Sequence, residues 1–101
     1  MARVVYAPAA FRDFERLLDF LLDEDPAAAL ATVPLITQAV AILQDHPLIG
    51  HTTTADLREL VISRGNSGYI ALYDYRASQD IVVILSIRHQ REAGFPTAMP
   101  D

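Results

Sequence analysis

The stretch LRELVISRGNSGYIALYDYRASQDIVVILSIRH, residues 57–89, decides the fold of this chain. Its apolar residues tend to alternate with other residues, and two turn-forming segments, RGNSG and ASQD, interrupt them. Alternation between turn signals predicts β-strands that are joined as hairpins. We therefore expect three consecutive strands, over residues 57–64, 68–76 and 81–89.

The first half of the chain predicts a short strand followed by two helices. Residues 2–7 form the strand, and the apolar residues between positions 9 and 23 recur once per helical turn. Pro26 suits the first position of a second helix that runs to about Gln44, with a kink or a break at Pro34. The order β-α-α-β-β-β predicts an α+β fold, in which two N-terminal helices pack on one face of a small, mostly antiparallel sheet.

Composition excludes several classes of protein. The 101 residues predict one domain, spanning 1–101, and the absence of cysteine excludes disulfides and thiolate metal sites. No apolar run approaches the roughly 20 residues of a membrane span. The net charge is −5, with eight arginines and no lysine, whereas nucleic-acid binders are usually basic. We expect a cytoplasmic protein that binds no membrane, cofactor or metal.

The turn lengths suggest a strand register that separates two faces of the sheet. Ser63 should oppose Tyr69, and Leu72 should oppose Leu85. One face then lies beneath the helices, and it collects Leu60, Ile62, Ile70, Leu72, Val83, Leu85 and Ile87. The helices leave the other face bare, and its proposed partner-binding residues are Val61, Tyr69, Tyr73, Tyr75, Val82, Ile84 and Arg88. An exposed apolar patch of this kind usually marks a partner surface. The alternative is that the tyrosines only cover the sheet, with their hydroxyls in water.

Four segments in order resemble the RelE/ParE superfamily of toxins from type II toxin–antitoxin modules, also called plasmid stabilisation proteins. They are VVYAPAAFRDFERLLDFL, DPAAALATV with AVAILQDHPLIG, LRELVIS with GYIALYDY, and IVVILSIRHQREAGF. The resemblance implies a toxin that inhibits growth and is neutralised by a cognate antitoxin in a hetero-oligomer. It also implies one of two targets: DNA gyrase for ParE-like toxins, or mRNA on the ribosome for RelE-like toxins.

Cleavage of mRNA needs a base, an acid and positive charge around the phosphate. The candidates in this chain are Arg64, Arg88, His89 and Arg91, and Phe95 lies where the resemblance implies a tyrosine. Arg88 can instead stack on Tyr69, and His89 can instead cap the sheet end, so we assign no catalytic residue. One small basic spot on an acidic chain favours docking on a protein. We therefore expect a ParE-like gyrase inhibitor, with the ribonuclease and a non-toxic antitoxin-binding protein as alternatives.

Overall fold

The computed structural model describes the backbone of residues 1–64 and 67–89, and their side chains except at positions 63, 64 and 67. Strand β1 spans Arg3–Tyr6, helix α1 spans Pro8–Glu24 and helix α2 spans Pro26–Ala41. Each helix begins with proline, whose missing N–H costs nothing at that position. Asp25 separates the helices, and its carboxylate accepts a hydrogen bond from the Ala28 N–H at 3.3 Å, as expected of an N-cap.

Helix α2 continues through Pro34 without a break and is followed by a 3-10 turn, Ile42–Gln44. Pro34 is exposed, so water can reach the Leu30 carbonyl that the proline leaves without its helical partner. By length and composition alone, Pro26–Gln44 is apolar enough to span a membrane. The expectation that no segment approaches that length was therefore wrong, because the scattered threonine, glutamine and proline residues conceal an uncharged stretch. In this fold α2 buries one side in the core, through Ala29, Thr32, Ile36 and Val40.

Five strands form one sheet in the order β1-β5-β4-β3-β2. Strand β2 is the pair His51–Thr52, β3 spans Arg58–Arg64, β4 spans Ser67–Arg76 and β5 spans Ile81–His89. Strand β1 pairs with β5 in parallel, and the other neighbours are antiparallel. The predicted fold class is confirmed, with the two-residue β2 as the one strand that the sequence did not indicate.

The register between β3 and β4 differs by one residue from the predicted register. Tyr69 opposes Ile62 and not Ser63, because the hairpin leaves only residues 65 and 66 between the paired positions Arg64 and Ser67. A slip of one residue moves every side chain of a strand to the other face relative to its neighbour. The predicted faces therefore mixed residues from both sides of the sheet.

A bulge in β5 produces a second departure. Pairing begins as predicted, with Arg76 opposite Ile81, but the register shifts between Leu72 and Tyr73. Leu72 then opposes Ser86, so that Leu85 becomes the extra residue of the bulge. Beyond this point each β5 residue faces the side of the sheet opposite to the one that simple alternation predicts. Neither the alternation of apolar residues nor the length of the turn indicates such an insertion.

Candidate functional site

Most of the residues that were predicted to lie on the bare face of the sheet lie beneath the helices. Tyr69 is 2% exposed, and Tyr73, Val82 and Ile84 are fully buried. The prediction that these four residues lie on a bare face was therefore wrong. Both sides of β4 and β5 are largely apolar, so composition could not choose the buried side. The observed strand register and the bulge at Leu85 determine which side is buried.

Burial of Tyr69 is made possible by a polar partner on α2. Its hydroxyl lies 3.2 Å from Thr32 Oγ1, and the Thr32 hydroxyl donates to the Ala28 carbonyl at 2.7 Å. The Tyr69 ring meets the His89 imidazole edge-on, with 5.1 Å between ring centroids. A buried tyrosine needs such a partner for its hydroxyl. This cluster therefore joins the end of β5 to the second helix.

Arg88 and His89 point to opposite sides of the sheet, as consecutive strand residues must. His89 is 8% exposed and lies opposite Tyr69, on the side of the helices. Arg88 is half-buried, lies opposite Ile70, and donates from Nε to Ser86 Oγ at 3.4 Å. The two side chains do not converge on a common point. Of the other nuclease candidates, the Arg64 side chain and all of Arg91 lie outside the described residues.

The side of the sheet away from the helices is nevertheless apolar. We define the bare sheet face by its exposed or half-buried apolar residues, which are Val61, Ile70, Leu72, Val83 and Leu85. Arg88 joins this face at one end. Val61 and Arg88 thus remain candidates for partner binding. Tyr75 is half-buried against the edge of the core, and its hydroxyl donates to Asp80 Oδ1 at 2.8 Å.

The loop DHPLIG, residues 45–50, is fixed by Tyr73 and Arg58. The Tyr73 hydroxyl accepts from the Gly50 N–H at 2.9 Å and donates to the Pro47 carbonyl at 2.8 Å. The Arg58 guanidinium donates to the carbonyls of Leu48 and Gly50, at 3.0 and 2.7 Å. The predicted register, with Ser63 opposite Tyr69, would place Arg58 opposite Asp74. The observed register places it opposite Tyr73, and Asp74 pairs with Arg76 at 3.3 Å instead.

Gly50 permits this arrangement because the loop passes very close to the sheet. A Cβ at this position would lie 2.7 Å from the Glu59 carbonyl oxygen and 2.7 Å from the Tyr73 hydroxyl. The loop consequently presents Leu48 and Ile49, both more than half exposed, from a fixed backbone. These two side chains line an open cavity of about 420 Å³ together with His46, Pro47 and Tyr75.

Two tyrosines of this region have raised pKa values for different reasons. Burial raises the pKa of the Tyr73 hydroxyl, although the hydrogen bond from Gly50 and the charge of Arg58 oppose the shift. The hydrogen bond to Asp80 is the main cause of the raised pKa of the exposed Tyr75 hydroxyl. Both groups are therefore neutral donors at physiological pH. Within residues 1–64 and 67–89, no group of three or more metal-binding side chains converges.

Comparison with known proteins identifies the family. The model of the ParE toxin of the type II toxin–antitoxin system parDE matches residues 4–94. The chain belongs to the RelE/ParE family of toxins. Two curated relatives from Caulobacter vibrioides carry RelE names. Toxin RelE3 is 37% identical over 91% of this chain and 98% of its own length, and Toxin RelE1 is 36% identical over 69% and 75%.

Two solved structures share the RelE/ParE fold. One is the chromosomal ParDE system from P. aeruginosa, with a TM-score of 0.71 and 22% identity, covering 87% of this chain and 95% of that chain. The other is the RelBE2 toxin–antitoxin complex from Mycobacterium tuberculosis, with a TM-score of 0.57 and 26% identity, covering 88% and 98%. The order of elements seen here is therefore that of the family.

Some exposed apolar residues of this toxin were not predicted from its sequence. No surface role was predicted for Leu48 and Ile49, or for the exposed apolar residues Leu22 and Leu30 of the helices. Two signals were available. One is a pair of aliphatic residues inside a turn, and the other is the absence of any charge from Pro26 to Gln44. A core helix with one polar side would normally carry charges on that side.

Proposed function

We propose that this RelE/ParE-family chain inhibits growth by acting on DNA gyrase, and that a cognate antitoxin neutralises it in a hetero-oligomer. The family match over residues 4–94 supports a toxin, and its model is that of ParE. The two similar structures are a ParDE system and a RelBE2 complex, which supports an antitoxin partner. The bare sheet face, and the exposed Leu48 and Ile49 of the loop at 45–50, offer such partners apolar surfaces of the kind found at the centre of protein interfaces.

We favour gyrase over mRNA as the target because the side chains of Arg88 and His89 lie on opposite sides of the sheet. A nuclease needs its proton-transfer group and its phosphate clamp around one scissile bond. In this chain the imidazole packs inward against Tyr69, while Arg88 belongs to the opposite side of the sheet. That arrangement supports a structural role for His89. It leaves Arg88 suited to pairing with an acidic group on a protein.

The overall charge supports the same choice. A protein that tracks RNA through phosphate contacts needs several cations, and each contact contributes to affinity. This chain has eight arginines against thirteen acidic residues, and its net charge is −5. Docking on a protein surface through one arginine and apolar contacts does not require a basic molecule.

Cleavage of mRNA on the ribosome is the second candidate. The two curated relatives carry RelE names, which favours it. In that mechanism the RNA 2′-hydroxyl loses its proton to a base and attacks the adjacent phosphate, and cations stabilise the charge that develops on the phosphorane. The bond from phosphorus to the 5′-oxygen of the next nucleotide then breaks, and that oxygen takes a proton from an acid. Arg64 and Arg91 would supply those cations together with Arg88.

Inducible expression of the chain alone tests the proposal. We expect growth to stop, with filamentous cells and an induced DNA-damage response. The matched control is Ile84→Asp, which places a charge at a fully buried position and should abolish both folding and arrest. Rapid loss of protein synthesis with cut transcripts would contradict the gyrase target. Normal growth with soluble wild-type protein would contradict toxicity itself and favour a non-toxic antitoxin-binding protein.

A further inference from the structure

Strand β5 loses its neighbouring strand on one edge partway along its length. Residues 81–84 pair with β1, and the last backbone bond on that edge runs from the Ala7 N–H to the Ile84 carbonyl at 2.9 Å. The chain then enters α1, so no strand of the described residues lies on that side of residues 85–89. The bulge at Leu85 stands at this point. Strand pairing therefore holds the last part of β5 only along its other edge, against β4.

Asp13 of α1 supplies a hydrogen bond on the open edge. Its Oδ2 accepts from the Ile87 N–H at 3.2 Å, and its Oδ1 lies 3.5 Å from the Arg16 guanidinium, one turn along the helix. The Asp13 side chain is only 21% exposed, and Ile87 is fully buried. A buried N–H needs an acceptor, and an ionised acceptor forms a stronger bond than a neutral one. The carboxylate thus takes the place that a carbonyl of a neighbouring strand would occupy.

The bond to Ile87 also determines where the next residue lies. Ile87 is enclosed beneath the helices, and consecutive strand residues point to opposite sides of a sheet. Arg88 consequently lies on the bare sheet face, where its Nε donates to Ser86 Oγ at 3.4 Å. Both Ser86 and Arg88 pair with β4. Residues 86–88 are therefore held from two sides, by β4 along one edge and by α1 along the other.

We infer that Asp13 is a positioning residue, which acts through Ile87 to hold the end of β5, and with it Arg88, in the orientation that docks on the protein target. An arginine that is already immobilised loses less conformational entropy on binding, which favours affinity. Asp13 belongs to the helix layer, on the opposite side of the sheet from Arg88, so it acts through the strand and not by touching the target. The inference deepens the proposed function and rests on it, since Arg88 is the docking arginine of that proposal.

Two simpler roles for Asp13 predict different results. If the carboxylate only stabilises the fold, a core variant of similar stability should have the same effect as Asp13→Ala. If the carboxylate acts by its charge, Asp13→Asn should be as damaging as Asp13→Ala. A positioning role through the hydrogen bond predicts that Asp13→Asn keeps the arrangement, because the amide oxygen still accepts from the Ile87 N–H.

Amide hydrogen exchange of the purified full-length chain, followed by NMR, measures the bond directly. In Asp13→Ala the Ile87 N–H should exchange at least roughly tenfold faster than in the wild type, because its acceptor is lost. Nitrogen relaxation of Arg88 Nε should show a more mobile side chain in the same variant. In Asp13→Asn both measurements should stay close to those of the wild type.

Two control variants separate this local effect from a general one. Asp19→Ala removes an exposed carboxylate from the same helix and should change neither measurement. Ile36→Val removes one methyl group from the core. It should lower the urea midpoint and speed exchange across the whole sheet, without a particular effect at Ile87 or Arg88.

Growth arrest, compared at equal amounts of soluble protein, shows whether the position of Arg88 matters for toxicity. Asp13→Ala should need roughly threefold to tenfold more protein for arrest, because the target must then immobilise the arginine itself. Asp13→Asn and the two control variants should arrest growth at the wild-type amount.

Three results would overturn the inference. They are an Asp13→Ala protein with an immobile Arg88 and full toxicity, an Asp13→Asn protein as impaired as Asp13→Ala, and an Ile36→Val protein that shows the same losses at Ile87, at Arg88 and in toxicity. A wild-type chain that does not arrest growth would instead contradict the proposed function. The NMR comparison would still decide whether Asp13 positions Arg88.

Discussion

At the scale of single residues, two tyrosines and one arginine link the sheet to other segments of the chain through hydrogen bonds. Tyr73 and Arg58 together satisfy four polar contacts of the loop at 45–50. The Tyr69 hydroxyl makes one side-chain hydrogen bond, with the Thr32 hydroxyl on α2. The sequence showed that these residues cluster along two strands, but it could not show that their hydroxyls find buried partners. Those partners come from segments more than twenty residues away in the chain.

Removing the Tyr73 hydroxyl should destabilise the protein. In Tyr73→Phe the buried Gly50 N–H loses its acceptor, which costs about 1–3 kcal/mol in the free energy of unfolding. Tyr75→Phe is the matched control, because its hydroxyl bonds only the exposed Asp80 and its loss should cost less than about 0.5 kcal/mol. Urea denaturation measures both. Equal losses of unfolding free energy in the two variants would contradict a stabilising hydrogen bond between the Gly50 N–H and the Tyr73 hydroxyl.

Alkaline pH should destabilise the protein through the buried tyrosines. Burial raises the pKa of Tyr6 and of Tyr73 above their ordinary value of 10.0. Between the unfolded and folded pKa values the unfolded chain loses its protons first, so the stabilisation is complete below about pH 10 and declines above it. Urea midpoints from about pH 8 to about pH 11 should therefore fall. The fall should be smaller in Tyr73→Phe, and a constant wild-type midpoint would contradict the prediction.

Arg88 should matter for the target more than other arginines do. Arg88→Glu reverses the charge beside the bare sheet face and should weaken growth arrest at least roughly tenfold in the inducer concentration required. Arg76→Glu is the matched control, because Arg76 is exposed and pairs with Asp74 beside a turn. Thermal unfolding should show that both variants fold. Full toxicity of a folded Arg88→Glu protein would remove Arg88 from the docking surface.

At the scale of elements, the sequence predicted the existence and order of both helices and of the four longer strands. Helix α1 has a clear apolar stripe, and proline or turn residues bound the other elements. The two-residue β2 carries no periodicity, so nothing in the sequence indicated it. The sequence also could not predict which face of the sheet is buried. It depends on a two-residue hairpin connection and on one inserted residue at Leu85, and apolar side chains on both sides of the strands hide both features.

The bulge in β5 makes a sharp prediction about two adjacent residues. Ile84 is fully buried and Leu85 is half-buried on the bare side. Ile84→Ala should cost about 2–5 kcal/mol in the free energy of unfolding. Leu85→Ala should cost about 1 kcal/mol or less, since it leaves no closed cavity. A larger loss at Leu85 than at Ile84, measured by urea denaturation, would reverse the assignment of faces.

At the scale of the whole molecule, the candidate site was predicted only in part. The family, the toxin fold and the contrast between an acidic chain and its basic strand end were all visible in the sequence. The nuclease candidates Arg88 and His89 were grouped by their closeness in the sequence, but adjacent residues of a strand point to opposite faces, and in the structure these two side chains diverge. The apolar groove between the two helices, lined in part by Leu22 and Leu30, was missed because periodicity identifies the core side of a helix and not what covers its other side.

The most direct test uses purified components. The chain is added to DNA gyrase, ATP and relaxed plasmid, and in parallel to ribosomes translating a defined mRNA. A gyrase-directed toxin predicts that supercoiling falls, or that cleaved plasmid accumulates, as the chain is titrated, while the mRNA stays intact. Unchanged supercoiling together with mRNA cut on the ribosome would contradict the account.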